Sequence, residues 1–114
     1  LITPVATDFL SLRGAQLLLD QTVPTVQAHL NPGLSVLAIL PTMHDERTNH
    51  ARAVLAELKR LYGVELVGEA VKNTVRYKEA ANAGVSVLTY LDEDSSHPYR
   101  LLSERVERTQ SAGI

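Results

Sequence analysis

The stretch that most constrains this chain is LSVLAIL, residues 34–40, which runs straight into PTMHDERTNHARAVL. Six apolar residues in seven, broken only by Ser35, cannot face water on one side of a sheet. They read as a strand buried on both faces, the pattern of a parallel sheet covered by helices. The run stops at Pro41 in front of His44, Asp45, Glu46 and Arg47, so a buried strand delivers a charged loop at its carboxyl end.

The flanking segments carry helical and strand signals in alternation. LITPV, residues 1–5, is a short strand, with Pro4 keeping it from an ordinary central place. After ATD, apolar residues at Leu12, Ala15, Leu18, Leu19, Val23 and Val26 predict a helix over 11–30, kinked or split at Pro24 and stopped by NPG at 31–33. Ala51, Val54, Leu55, Leu58, Leu61 and Tyr62 recur at helical spacing and predict a helix over 49–62, with Gly63 as a left-handed cap. VELVGEAV at 64–71 reads as the next strand and VRYKEAANAG as a short helix ending on Gly84. VSVLTYL at 85–91 reads as a further extended piece and DEDSSHP as a loop. A terminal helix is expected over 98–109, with Leu101, Leu102 and Val106 inward. Strands alternating with helices mean an α/β fold with a mainly parallel sheet.

At 114 residues this is one domain or less, and 45% hydrophobic with 21% charged residues is ordinary for a globular chain. The absence of cysteine removes disulfides, thiolate zinc sites and cysteine nucleophiles. No apolar run reaches the roughly 18 residues that span a bilayer. A formal charge of −2 means that any nucleic-acid binding has to come from a local patch or from oligomerisation. The chain enters directly as a strand-like run without an initiator Met, which suggests a start in the middle of a larger fold.

In parallel sheets ligands gather at the carboxyl ends of the strands. Three polar loops fall there, ATDF, PTMHDERTN and KNTVRYKE, and they are expected to be neighbours. His44, Asp45 and His50 invite a metal reading, but the two histidines are six apart and zinc needs about four ligands in tetrahedral array, so surface histidines are the better account. Asp45 or Thr48 is expected to cap the following helix. Arg47 and Arg76, with Lys72 and Lys78, form a small basic edge suited to phosphate oxygens, against the plainer reading of solvated charge. A GxSxG elbow and a GxxxxGK[ST] phosphate loop are both absent, so nucleophilic catalysis and phosphate cradling have no support in these residues.

The succession TPVATDFLSLRGAQLLL, LNPGLSVLAILPTMHDERTNHARAVLAEL, VRYKEAANAG and YRLLSERV closely resembles the C-terminal half of ParA/Soj-type chromosome and plasmid partition ATPases. The block LNP…TM.D.RT is its most specific part. The resemblance implies a P-loop NTPase-like fold of which residues 1–114 are the C-terminal half, or a single reduced domain. The half bearing the Walker A lysines and the groups that hold Mg²⁺ is not represented. It further implies an ATP-dependent homodimer that binds DNA without sequence preference, a ParB-like centromere-binding partner, and a cytoplasmic, nucleoid-associated location. By position, Arg47 and Arg76 match DNA-contacting arginines. Thr42, Met43, Lys72 and Thr74 match the pocket of the nucleotide base. Lys72 stands where the family has proline, Thr74 where it has asparagine, and His44 where tyrosine is usual. Two other readings stay open: a MinD-like membrane-positioning ATPase, disfavoured by the mixed charge of LLSERVERTQSAGI, and a non-enzymatic docking or regulatory module. No metal ligand set and no catalytic residue are expected within these residues.

Overall fold

A computed structural model gives the fold and describes residues 1–74, 76–86, 88 and 93–112. β1 (Ile2–Ala6) and β2 (Ala38–Thr42) pair in parallel, Ile2 beside Ala38 and Ala6 beside Thr42. α1 (Phe9–Leu17), a π-helical turn (Leu18–Thr22) and α2 (Val23–His29) cross between them, and α3 (Asn49–Tyr62), α4 (Arg76–Ala83) and α5 (Glu93–Ala112) follow. The architecture is α/β, a small parallel sheet with flanking helices, as the alternating pattern predicts.

β2 shows why a near-continuous apolar run was needed. Ile39 is fully enclosed on the face shared with Val5, Leu12, Ala15, Val54, Leu58 and Val67, the core between the sheet, α1 and α3. The neighbouring Ala38 and Leu40 point the opposite way, as strand alternation requires. They line a groove against Pro98, Leu101 and Leu102 of α5. Only 38–42 is strand, however, and residues 34–37 are not. Leu1 lies beside that stretch, its amino group donating to the Ser35 carbonyl and its carbonyl accepting from the Leu37 N–H.

The predicted strand at 64–71 is the largest departure. It runs beside β2 as two separate bridges, Ile39 with Val67 and His44 with Lys72, rather than as a ladder. Pro41 is the cause. Ile39 exchanges regular bonds with Leu66 and Gly68 (2.9 and 2.8 Å), and the next N–H due to bond the Gly68 carbonyl would be that of Pro41, which has none. The pairing resumes one residue late, with Val71 N–H donating to the Pro41 carbonyl at 2.8 Å. β2 then takes up a compensating extra residue at Met43, whose φ is 50°. His44 N–H reaches the Val71 carbonyl at 3.0 Å and the offset of the first bridge is restored. Pro4 escapes this cost. Thr7 donates to β2 at Thr42, so alternation puts the nitrogen of Pro4 on the opposite edge of β1.

The helix is split at Pro24 as expected, into α1 and α2 with the π-helical turn between them. The preceding turn widens to π geometry, Val23 N–H bonding the Leu18 carbonyl five residues back, which makes room for the ring. Thr25 Oγ1 donates back to the Gln21 carbonyl one turn earlier, at 2.9 Å. The helix stops as expected, with Asn31 Oδ1 accepting from Gly33 N–H in the NPG turn. Gly84 closes α4 with φ 70° and paired bonds from Gly84 to Ala81 and Val85 to Ala80. Gly63 ends α3 at φ 88°, ψ 150°, a conformation for glycine but not the left-handed helical one expected.

The terminal helix begins at Glu93 rather than Pro98 and carries that proline inside it. Its apolar side also differs from expectation: Leu101 is exposed, Leu102 and Val106 are half-buried, and Ser96 and Pro98 are buried. Of the extended piece predicted at 85–91, residues 85, 86 and 88 are not in a strand, and 87 and 89–91 lie outside the described residues.

Two glycine substitutions test this backbone account by urea denaturation. Gly63→Ala should destabilise the protein by about 1–3 kcal/mol because alanine cannot take that conformation without strain. Gly14→Ala, within α1 where an added Cβ meets nothing within 4 Å, should stabilise it by about 0.5–1 kcal/mol.

Candidate functional site

The three polar loops converge at the carboxyl end of the sheet. Thr7 N–H donates to the Thr42 carbonyl at 3.2 Å, and Asn73 N–H to the His44 carbonyl at 3.0 Å, so each loop is sewn to the middle one by backbone. A side-chain contact reinforces the first seam: His44 Nδ1 lies 3.1 Å from Thr7 Oγ1, and both residues are buried. The loop positions follow from how the helices start. Asp8 caps α1, its carboxylate accepting from Ser11 N–H at 2.7 Å and Ser11 Oγ at 2.9 Å. Thr48 caps α3, its hydroxyl accepting from Ala51 N–H at 3.2 Å.

Asp45 is therefore not the helix cap but the centre of a tight turn. Its carbonyl accepts from Thr48 N–H, and its carboxylate accepts from the Arg47 backbone at 3.1 Å. The Arg47 guanidinium closes the turn as a fork on the same carboxylate, at 2.9 and 3.0 Å. This clip accounts for an arginine just ahead of a helix N-terminus, where the dipole disfavours one: its charge is matched locally. The Arg47 side chain is 90% exposed, so the pair is open to exchange with solvent or another anion. Arg76, the first residue of α4, similarly meets Glu79 at 3.1 Å and is half exposed. The basic edge is thus partly compensated by acids of its own turns.

Of the residues matched to a base pocket, Thr42 ends β2 half-buried, and Met43 follows it with 71% of its surface exposed and a backbone conformation unusual for a residue with a side chain. Lys72 is exposed and bridged to His44 through backbone, and Thr74 Oγ1 accepts from Arg76 N–H at 3.3 Å. Met43 thus offers an apolar surface and Lys72 a cation at one strand end. A glycine-rich loop with a lysine, the usual cradle of nucleotide phosphates, is absent from the sequence. Among the described residues no group of three His, Asp or Glu could hold a metal ion.

The histidines do not lie together at the surface. His44 is enclosed, and His50 sits edge-on to Phe9 with ring centroids 4.5 Å apart. What the sequence did not reveal is a cavity of about 280 Å³ beside His44, whose wall includes Lys59 of α3 and His97 of α5. The extra residue at Met43 turns His44 inward, and that bulge has no signature beyond the proline before it.

No family model matches the chain. The chromosome-partitioning ATPase Soj of Thermus thermophilus is 35% identical over 113 residues, 97% of this chain and 45% of that protein. An uncharacterized protein of Mycobacterium tuberculosis is 35% identical over 106 residues, 92% of this chain and 33% of that protein. The sporulation initiation inhibitor protein Soj of Bacillus subtilis is 34% identical over 89 residues, 78% of this chain and 35% of that protein. The chain is a relative of the ParA/Soj chromosome-partitioning ATPases. It matches their C-terminal part and spans less than half the length of these curated relatives. Among the described residues of this ParA/Soj relative no helix is long and apolar enough to cross a membrane.

The caps make a separable prediction. Thr48→Ala should lower stability by about 1 kcal/mol through loss of the α3 cap, measured by urea denaturation. Asp8 has its carboxyl held below its ordinary value of 3.8, first by the Ser11 backbone N–H and then by the Ser11 hydroxyl. Its contribution to stability is therefore complete above that pH and is lost as pH falls through the depressed folded value. Asp8→Ala should show a flatter decline of stability below pH 4 than the parent protein.

Proposed function

We propose that residues 1–114 form the C-terminal half of a ParA-type partition ATPase domain with a P-loop NTPase fold, acting in the cytoplasm on the nucleoid. The observation that carries this reading is the backbone-sewn convergence of the three loops at the carboxyl end of a parallel sheet, in a chain related to partitioning ATPases along most of its length. In this reading Thr42, Met43, Lys72 and Thr74 face the base of ATP. The phosphates and Mg²⁺ belong to residues outside this chain.

Arg47 and Arg76 contact DNA phosphates without reading sequence. The clip between Arg47 and Asp45 supports this chemically: a guanidinium already forked onto one planar oxyanion can exchange it for a phosphate with the same geometry. An acidic subunit then holds DNA by doubling its arginines in a homodimer, and a ParB-like partner controls release.

The tests use the full-length protein in an ATP-dependent filter-binding assay across a salt series. Arg47→Ala or Arg76→Ala should weaken DNA binding and, by removing two phosphate contacts per dimer, make the log–log salt slope shallower by about 1.8. Asp45→Asn should have the opposite effect, because it frees Arg47 from its intramolecular partner. Affinities and slopes that stay constant across these three variants would refute the assignment. The 114 residues alone should show no ATP turnover; hydrolysis by them would overturn the division of labour.

A further inference from the structure

His44 has only 1% of its side chain exposed, yet one of its two ring nitrogens is left without a partner. Nδ1 is turned to Thr7 Oγ1 at 3.1 Å, and Nε2 is buried with no hydrogen bond, 3.9 Å from a Glu46 carboxylate oxygen. Among the described residues it is the only buried side-chain nitrogen or oxygen in that position. Buried polar groups are nearly always satisfied, so an orphan beside open space points to a partner that occupies the space.

The space is the cavity of about 280 Å³ bounded by His44, Glu46, Lys59, Glu69, Lys72 and His97. Its charges are unevenly committed. Glu69 is taken by His97 at 2.6 Å, whereas neither the Lys59 nor the Lys72 ammonium has a hydrogen-bond or ion-pair partner among the described residues. Glu46 is the one carboxylate left over, and it is largely solvated, with 65% of its side chain exposed. Two free ammonium groups in the wall oppose a metal cation and favour an anion. The volume falls just below the roughly 300–1,000 Å³ of pockets for drug-sized ligands, which suits a small ion with its water.

We propose that this cavity binds a small tetrahedral oxyanion of phosphate chemistry, held by His44 Nε2–H and the ammonium groups of Lys59 and Lys72. In this arrangement His44 takes the tautomer with its proton on Nε2, and Nδ1 accepts from the Thr7 hydroxyl 3.1 Å away. Lys72 is also among the residues proposed to face the base, but Lys59 and His44 belong to the cavity alone, so the two readings can fail separately.

The test is calorimetric titration of the protein with inorganic phosphate at ionic strength held constant with chloride, with the His44 ring nitrogens followed by NMR. Expected are saturable one-to-one binding and a phosphate-dependent shift of Nε2. Lys59→Met should weaken binding about tenfold, Glu46→Gln should tighten it several-fold, and Lys59→Met should leave ATP-dependent DNA binding unchanged. His44→Phe should abolish binding, and Lys59→Met, at an exposed helix position, answers the question even if that variant does not fold. A parallel titration with glycerol phosphate separates the sources: tighter binding than inorganic phosphate identifies an esterified ligand, weaker binding the free ion. An Nε2 signal that does not respond to phosphate beyond the chloride control, or a Lys59→Met affinity equal to that of the parent, would overturn the proposal.

Discussion

The missing N–H of Pro41 governs the working end of this molecule. β2 is bonded on both edges, and a proline in such a strand removes one rung of a ladder. Here the rung would have joined Pro41 to the Gly68 carbonyl. The chain answers with one extra residue on the neighbouring segment between Gly68 and Val71, and one on its own at Met43. The two slips cancel, so His44 and Lys72 resume the offset of Ile39 and Val67. Between them the side chains are re-aimed: Met43 stands out into solvent and His44 turns into the interior. A regular strand would have produced neither arrangement.

Rigidity beneath and weak pairing above divide the labour of the site. Ile39, Val54 and Leu58 are completely enclosed, so the platform from which the loops leave is fixed by packing. Charged groups on the loops form short-range, solvent-exposed ion pairs, Arg47 with Asp45 and Arg76 with Glu79. Pairs of this kind add little to stability and exchange readily. In the proposed DNA-binding reading this suits Arg47, which is pre-oriented by an internal carboxylate and gives it up at small cost.

Much of this was legible in the sequence, for reasons that separate the successes from the misses. The near-continuous apolar run announced a strand covered on both faces, and Ala38, Ile39 and Leu40 are buried on alternate sides. The periodic pattern over 49–62 located α3, because an amphipathic helix advertises itself locally. The three loops were expected to meet and do. Pro24 divides its helix as expected, through a π turn ahead of it. Two of the misses are places where one backbone atom outweighs the pattern. VELVGEAV has strand composition, but its ladder depends on a proline some 27 residues earlier in the chain. His44 looked like a surface histidine because inward orientation was inherited from the Met43 bulge. The ParA/Soj relationship was readable from LNPGLSVLAILPTMHDERTN and the comparisons bear it out.

Lys72 links the two proposed sites. Its backbone is bridged to His44, which lines the proposed oxyanion cavity, and it is also one of the residues proposed to face the nucleotide base. One ammonium cannot complete both sets of contacts at once. An anion in the cavity would draw Lys72 toward His44 and away from the strand end, and a base at Met43 would do the reverse, so the two ligands should oppose each other through a shared side chain rather than through any movement of the sheet. The proline that interrupts the ladder shapes this boundary, since the compensating residue at Met43 turns His44 inward while the restored register keeps Lys72 beside it.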